Sequence, residues 1–182
     1  MKKWVCLIAI VLAAGCGSAQ KNNQRPRATT NRHIPRRQVL SPLGGYLVSS
    51  ESASRKGPER EIVIKRPSDK RELVRFPFRK QVDVVWAPDE TGVAIIDLVL
   101  NNETRVVVFE LPSGRALYEL RREQVCQLNP NLPCGDAYTH VFFSNLVWLA
   151  PDRIQVTVDM AYPQVENAPP QIHDTLIAAF PR

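Results

Sequence analysis

The chain has 182 residues, a formal net charge of +6 and four cysteines, and this length allows one domain with a tail. The charge is uneven, because residues 17–80 carry 16 Lys/Arg and 5 Asp/Glu, whereas residues 81–182 carry 6 and 13. No aromatic residue lies among the N-terminal arginines to stack on bases, so this basic segment does not indicate nucleic-acid binding.

The N-terminus has the layout of a signal peptide. Lys2 and Lys3 precede an apolar run over residues 4–14, which Gly15 and Cys16 follow. As a helix this run would be about 16 Å long, against about 30 Å for the hydrocarbon core of a bilayer. It is too short to span a membrane and ends in small residues that suit a cleavage site, so we predict a signal peptide over residues 1–15.

The segment Leu12-Ala13-Ala14-Gly15-Cys16 resembles the lipobox of bacterial lipoprotein precursors. The resemblance implies cleavage before Cys16 and a lipid anchor on its sulfur, at about 0.8 kcal/mol per buried methylene. It also implies that the protein is located in the cell envelope and faces the periplasm or the exterior. Because Gly17 follows the cysteine, the resemblance implies the outer membrane if the cell is Gram-negative. The alternative is an ordinary secretory peptide cut near Ala14 or Ala19.

A basic, polar segment follows the cysteine. Residues 17–40 contain six Lys/Arg and no acid, set among Ser, Asn, Gln, Thr and Pro. Such a composition cannot bury enough apolar surface to offset its ordering entropy, so we predict a disordered tether over residues 16–40. The tether is either a solvated spacer or lies on anionic headgroups, at about 1 kcal/mol per basic residue.

Three turn-and-strand segments recur after the tether. They open with Ser41-Pro42, Ala87-Pro88 and Ala150-Pro151, and an apolar strand follows each turn. Val, Ile and aromatic residues dominate the apolar runs, with clusters rich in Asp, Asn and Gly between them. We predict an all-β domain over residues 41–182, with repeats near 41–80, 82–120 and 141–182 and no long helix.

Two of these turns resemble the Trp-Ser-Pro-Asp-Gly turn in the β-propeller repeats of TolB-type periplasmic proteins. The resemblance singles out six blade-turn residues: Trp86, Pro88, Asp89, Trp148, Pro151 and Asp152. It implies three blade-like antiparallel meanders, although Glu90 and Arg153 stand where the family has Gly. Closed propellers have about four to eight blades, so we expect a single open or atypical propeller-like domain, with a β-sandwich as the alternative.

The cysteines can be assigned once the compartment is known. Cys6 leaves with the signal peptide and Cys16 takes lipid, so Cys126 and Cys134 remain. An even remainder in an oxidising compartment predicts a disulfide, which would stabilise the domain by roughly 2.5 kcal/mol. A redox pair or half of a metal site is the alternative, but neither has its usual short spacing here.

A reaction centre is not indicated. Asp136, His140 and Ser144 recur every four residues and could be read as a hydrolytic triad, yet a strand would place evenly spaced residues on one face regardless of function. No Gly-x-Ser-x-Gly elbow accompanies them. Asp83, Asp89 and Asp97 lie around the second turn and are interpreted as turn formers rather than ligands.

The sequence therefore predicts a membrane-anchored envelope lipoprotein that is not an enzyme and that binds a protein or an envelope polymer. A protein partner would add to open sheet edges by β-augmentation. No cofactor, metal, nucleic acid or small-molecule substrate is indicated. The alternative is an envelope hydrolase, or a hydrolase accessory, that uses the segment 136–144.

Overall fold

The fold is seen in a computed structural model that describes residues 30–31, 39–52, 60–132, 140–161 and 171–181. These residues form twelve strands in two sheets and one short helix, which confirms the all-β prediction. The predicted signal peptide, most of the tether and three of the residues discussed above lie outside the described ranges: Cys16, Cys134 and Asp136.

The first meander is a four-stranded antiparallel sheet in chain order. Its strands are β2 (Val39–Leu40), β3 (Leu47–Ser52), β4 (Arg60–Lys65) and β5 (Glu72–Phe78). β5 alternates between buried and exposed residues, with Val74, Phe76 and Phe78 on the buried face. This period of two is the pattern of a strand that has one face on the core.

The second sheet holds the other two meanders. Its strands are β1 (Thr30–Asn31), β6 (Val82–Trp86), β7 (Gly92–Leu100), β8 (Glu103–Glu110), β9 (Ala116–Leu120), β10 (His140–Ala150), β11 (Arg153–Ala161) and β12 (Ile172–Ala179). β6–β9 form the second meander and β10–β12 the third, both antiparallel in chain order. One parallel pair, Val141 with Glu103, joins β10 to β8.

Two hydrophobic cores separate the three meanders. Alternate residues of β6 enter different cores: Val84 and Trp86 pack with the first meander, whereas Val85 packs with the third. β7 and β8 divide in the same way, so the second meander is buried on both faces. The described residues thus form a stack of three blade-like meanders that does not close into a barrel or a propeller, as expected for an open fold.

One helix interrupts the strands. α1 (Arg122–Leu128) begins where the Gln124 side chain accepts a hydrogen bond from the Arg121 backbone N–H at 2.9 Å, and it buries Val125 in the core shared by the second and third meanders. No helix in the described ranges is long and apolar enough to cross a membrane.

Two parts of the predicted tether belong to the sheets. Val39–Leu40 form β2, so the described domain begins two residues earlier than predicted. Thr30–Asn31 form β1 and pair antiparallel with β6, Thr30 opposite Val85 and Asn31 opposite Val84. Backbone pairing with an open strand edge gives these two residues an ordered position that their polar composition did not indicate.

Candidate binding site

The first two of the repeated turns share one backbone geometry. Ser41 N–H donates to Tyr46 O at 2.8 Å, and Ala87 N–H donates to Gly92 O at 2.9 Å. Inside each turn, the fourth residue donates back to the first: Gly44 to Ser41 and Glu90 to Ala87, both at 2.9 Å. Each turn joins the first two strands of its meander, as does the turn at Pro151 between β10 and β11.

Glu90 stands at the glycine position of this turn and contacts the neighbouring meander through its side chain. Its φ is +55°, close to the +80° of Gly44 at the equivalent position. The Glu90 side chain is buried, and its carboxylate accepts hydrogen bonds from the backbone N–H groups of Leu43 at 2.6 Å and Gly45 at 3.1 Å. A Cβ on Gly45 would lie 2.5 Å from the Glu90 Oε2 atom, so a side chain there would displace the carboxylate.

The two turn tryptophans lie in different cores. Trp86 stacks on Tyr46, with ring centroids 6.1 Å apart and an interplanar angle of 9°. Trp148 lies over Gly92, where a Cβ would come within 2.8 Å of the ring, and it meets Phe180 edge-on at 6.0 Å. Each tryptophan therefore packs on the turn of the preceding meander. The main structural role of the repeat is to stack one meander on the next.

A cleft of ≈ 200 Å³ opens between the second and third turns. Seven residues line it: Ala87, Pro88, Asp89, Trp148, Leu149, Ala150 and Pro151. Four of the six blade-turn residues are thus brought together, whereas Trp86 lies in the other core. Pockets for drug-sized ligands measure about 300–1,000 Å³, so this cleft suits a side chain better than a cofactor.

One carboxylate, that of Asp89, lines this apolar cleft, and Asp152 follows the lining residue Pro151 in the chain. Asp89 is exposed, and its Oδ1 atom accepts hydrogen bonds from the backbone N–H of Thr91 at 3.0 Å and from its hydroxyl at 2.8 Å. Asp152 is exposed in the other turn, and its backbone carbonyl accepts a bond from Phe180 N–H at 3.0 Å. Asp89 is therefore a turn former, as predicted, and also places a negative charge beside apolar surface.

The other two aspartates considered with Asp89 are not turn formers. Asp83 lies in β6 and Asp97 in β7. Asp97 is buried and pairs with the Arg105 guanidinium at 3.0 Å. Burial raises the pKa of Asp97, against the opposing effect of Arg105, so the residue is a structural ion pair inside the sheet.

His140 and Ser144 both lie on β10, where even spacing places them on one face. At about 3.3 Å per residue their Cα atoms are about 13 Å apart, beyond direct hydrogen-bond reach. On the neighbouring strands, Asp159 lies opposite Phe142 and His173 opposite Asp159, and these two side chains are hydrogen-bonded to each other at 2.5 Å. Within the described ranges, no group of three His, Cys, Asp or Glu side chains could hold a metal ion.

Cys126 lies on α1 and is partly buried. Its expected partner, Cys134, falls outside the described residues, so the disulfide between them stays a prediction. The helix that carries Cys126 contacts β12, where Asn129 donates to the Asp174 carboxylate at 2.8 Å. This contact holds the segment after β9 against the third meander.

No protein-family model matches this chain, and no curated protein matches it significantly. The cleft is therefore interpreted from its own residues. Sequence reasoning found the two turns through their shared Ala-Pro-Asp pattern, but it did not single out Leu149, which stands directly before that pattern at the position of Trp86.

Proposed function

We propose that the protein is a membrane-anchored envelope lipoprotein whose β domain binds a protein partner and carries out no reaction of its own. The observation that carries the binding function is the apolar cleft between two turns, which is lined by one carboxylate, that of Asp89. Rigid apolar surface beside a few polar groups is the usual composition of a recognition site. The lipobox and the basic tether support the location.

The described residues on the outer face of β10 do not favour the alternative hydrolase. A nucleophile and its base must come within about 3 Å of each other, directly or through one water. His140 and Ser144 are separated by four strand positions, and His173 pairs with Asp159 instead. The cleft residues include one carboxylate and neither a nucleophilic hydroxyl nor a histidine.

The anchor is tested by Cys16→Ser. We expect the variant to lose the thioether-linked lipid and to leave the membrane fraction, because about 0.8 kcal/mol per methylene is lost with each acyl chain. Fractionation of cell envelopes, with immunoblotting for the protein, measures this. Detergent-dependent fractionation that persists in the variant would contradict lipid anchoring at Cys16.

The binding function is tested by site-specific cross-linking in intact envelopes. A photoreactive amino acid substituted for the exposed Asp152, which follows the cleft residue Pro151, should give one discrete adduct with an envelope protein. The same substitution at the exposed Glu123 of α1 is the matched control and should give none. No adduct at Asp152, or the same adducts at both positions, would refute a partner at the cleft.

A further inference from the structure

The edge of β6 accepts an extended backbone. Thr30 and Asn31 lie antiparallel to it, opposite Val85 and Val84. This pairing covers two of the five residues of β6, so most of the strand is not paired on this side by the described residues. A strand edge that accepts a backbone in this way is the usual site of β-augmentation by a peptide.

This edge runs into the cleft. β6 ends at Trp86, and the next three residues, Ala87, Pro88 and Asp89, line the cleft. A peptide bound in the direction of β1 would have its N-terminal end toward Pro88, which lies three residues beyond Val85, or about 10 Å. Backbone pairing and side-chain insertion are thus available to one extended peptide.

The charges favour a basic peptide. Asp89 lines the cleft, and residues 81–182 carry 13 acids against 6 Lys/Arg. Arg153 is the neighbouring cation, and it alternates with the core residue Ile154 along β11, which directs it to the opposite face of that strand. In the sequence, the ten residues 24–33 around Thr30 and Asn31 contain Arg25, Arg27 and Arg32 and no acid.

We propose that the β6 edge and the cleft form one continuous groove for an extended basic peptide of a partner protein, and that Thr30–Asn31 occupy part of this groove in the unbound chain. The inference rests on the proposed binding function and names its partner class. The partner's backbone extends the second sheet at β6, an apolar side chain enters the cleft, and a Lys or Arg meets Asp89. A two-residue strand is a weak competitor, so a longer peptide displaces it.

The test uses the full mature chain in detergent and a fluorescent synthetic peptide with the sequence of residues 24–33. Thr30→Pro/Asn31→Pro removes two backbone N–H groups and so releases the intramolecular strand. Fluorescence anisotropy should show the peptide binding this variant at least about tenfold more tightly than the wild type, because a tethered competitor is lost. A peptide carrying the same two prolines should not bind.

Asp89→Asn in the Thr30→Pro/Asn31→Pro background removes the charge but keeps the Asx turn, since an amide oxygen can accept the same bonds. We expect peptide affinity to fall about threefold, and the difference to shrink at high salt because exposed charges are screened. Glu123→Gln is the matched control and should leave the affinity unchanged. Asn31→Pro alone serves as a milder release if the double variant lowers the melting temperature.

The proposed groove would be contradicted if the peptide bound the wild type and the released variants with equal affinity. It would also be contradicted if the proline-containing peptide bound as tightly as the unmodified peptide. If the Asp152 adduct forms in envelopes while the peptide fails to bind, the partner uses another mode and only this inference falls. If neither the adduct nor peptide binding is seen, the proposed binding function falls with it.

Discussion

Glu90→Ala should lower the free energy of unfolding by about 2 kcal/mol. The substitution keeps a non-glycine residue at positive φ, so the backbone strain is unchanged and the effect isolates the carboxylate. That carboxylate accepts hydrogen bonds from Leu43 N–H and Gly45 N–H, and bonds to a charged acceptor contribute about 1.5–3 kcal/mol each. Leu43 and Gly45 are exposed, so water replaces part of what is lost.

Urea denaturation followed by tryptophan fluorescence measures this change. Trp86 stacks on Tyr46 at the same junction, which makes it a local reporter of whether the first meander is still docked. Glu90→Gln retains one acceptor oxygen and should lose about half as much. Glu123→Ala, an exposed carboxylate on α1, is the control and should change stability by less than about 0.5 kcal/mol. A Glu90→Ala protein as stable as that control would show that the carboxylate does not hold the two turns together.

The strands and turns of this fold could be predicted because their causes are local. Pro42, Pro88 and Pro151 preset the turn backbone, and β-branched runs follow each one. The two-sided burial of the second meander also had a signal, the unbroken apolar runs such as Val106–Phe109 in β8. Strands buried on both faces lack the alternation of apolar and polar residues that a strand with one solvent-exposed face shows.

The features that were missed depend on contacts between distant residues. Glu90 bonds to Leu43, 47 residues earlier, and nothing near Glu90 in the sequence identifies those amides. β1 forms because β6 offers it an edge, although its own composition predicts disorder. The cleft exists because the turns of two hairpins meet, so its lining combines residues 87–89 with residues 148–151, which only the stacking of meanders brings together.

Gly114→Ala should be the most destabilising small substitution in the described chain, at about 3 kcal/mol. Gly114 lies in the turn between β8 and β9 with a φ of +75°, and a Cβ there would come within 1.9 Å of the Leu73 carbonyl oxygen of the first meander. Positive φ costs a non-glycine residue about 1 kcal/mol, and forced overpacking costs about 1–3 kcal/mol more. Because the clash is with backbone, no side-chain rotation relieves it.

Gly44→Ala is the matched control because Gly44 has nearly the same φ, +80°, and a Cβ added there would meet no atom of the described residues within 4 Å. It should lose only the backbone contribution, about 1 kcal/mol. Chemical denaturation of both variants gives the difference, about 2 kcal/mol, which is the cost of separating the β8–β9 turn from β5. Equal losses would mean that this turn is not pressed against the first meander. The stack would then depend on the hydrophobic core and the Glu90 contact alone.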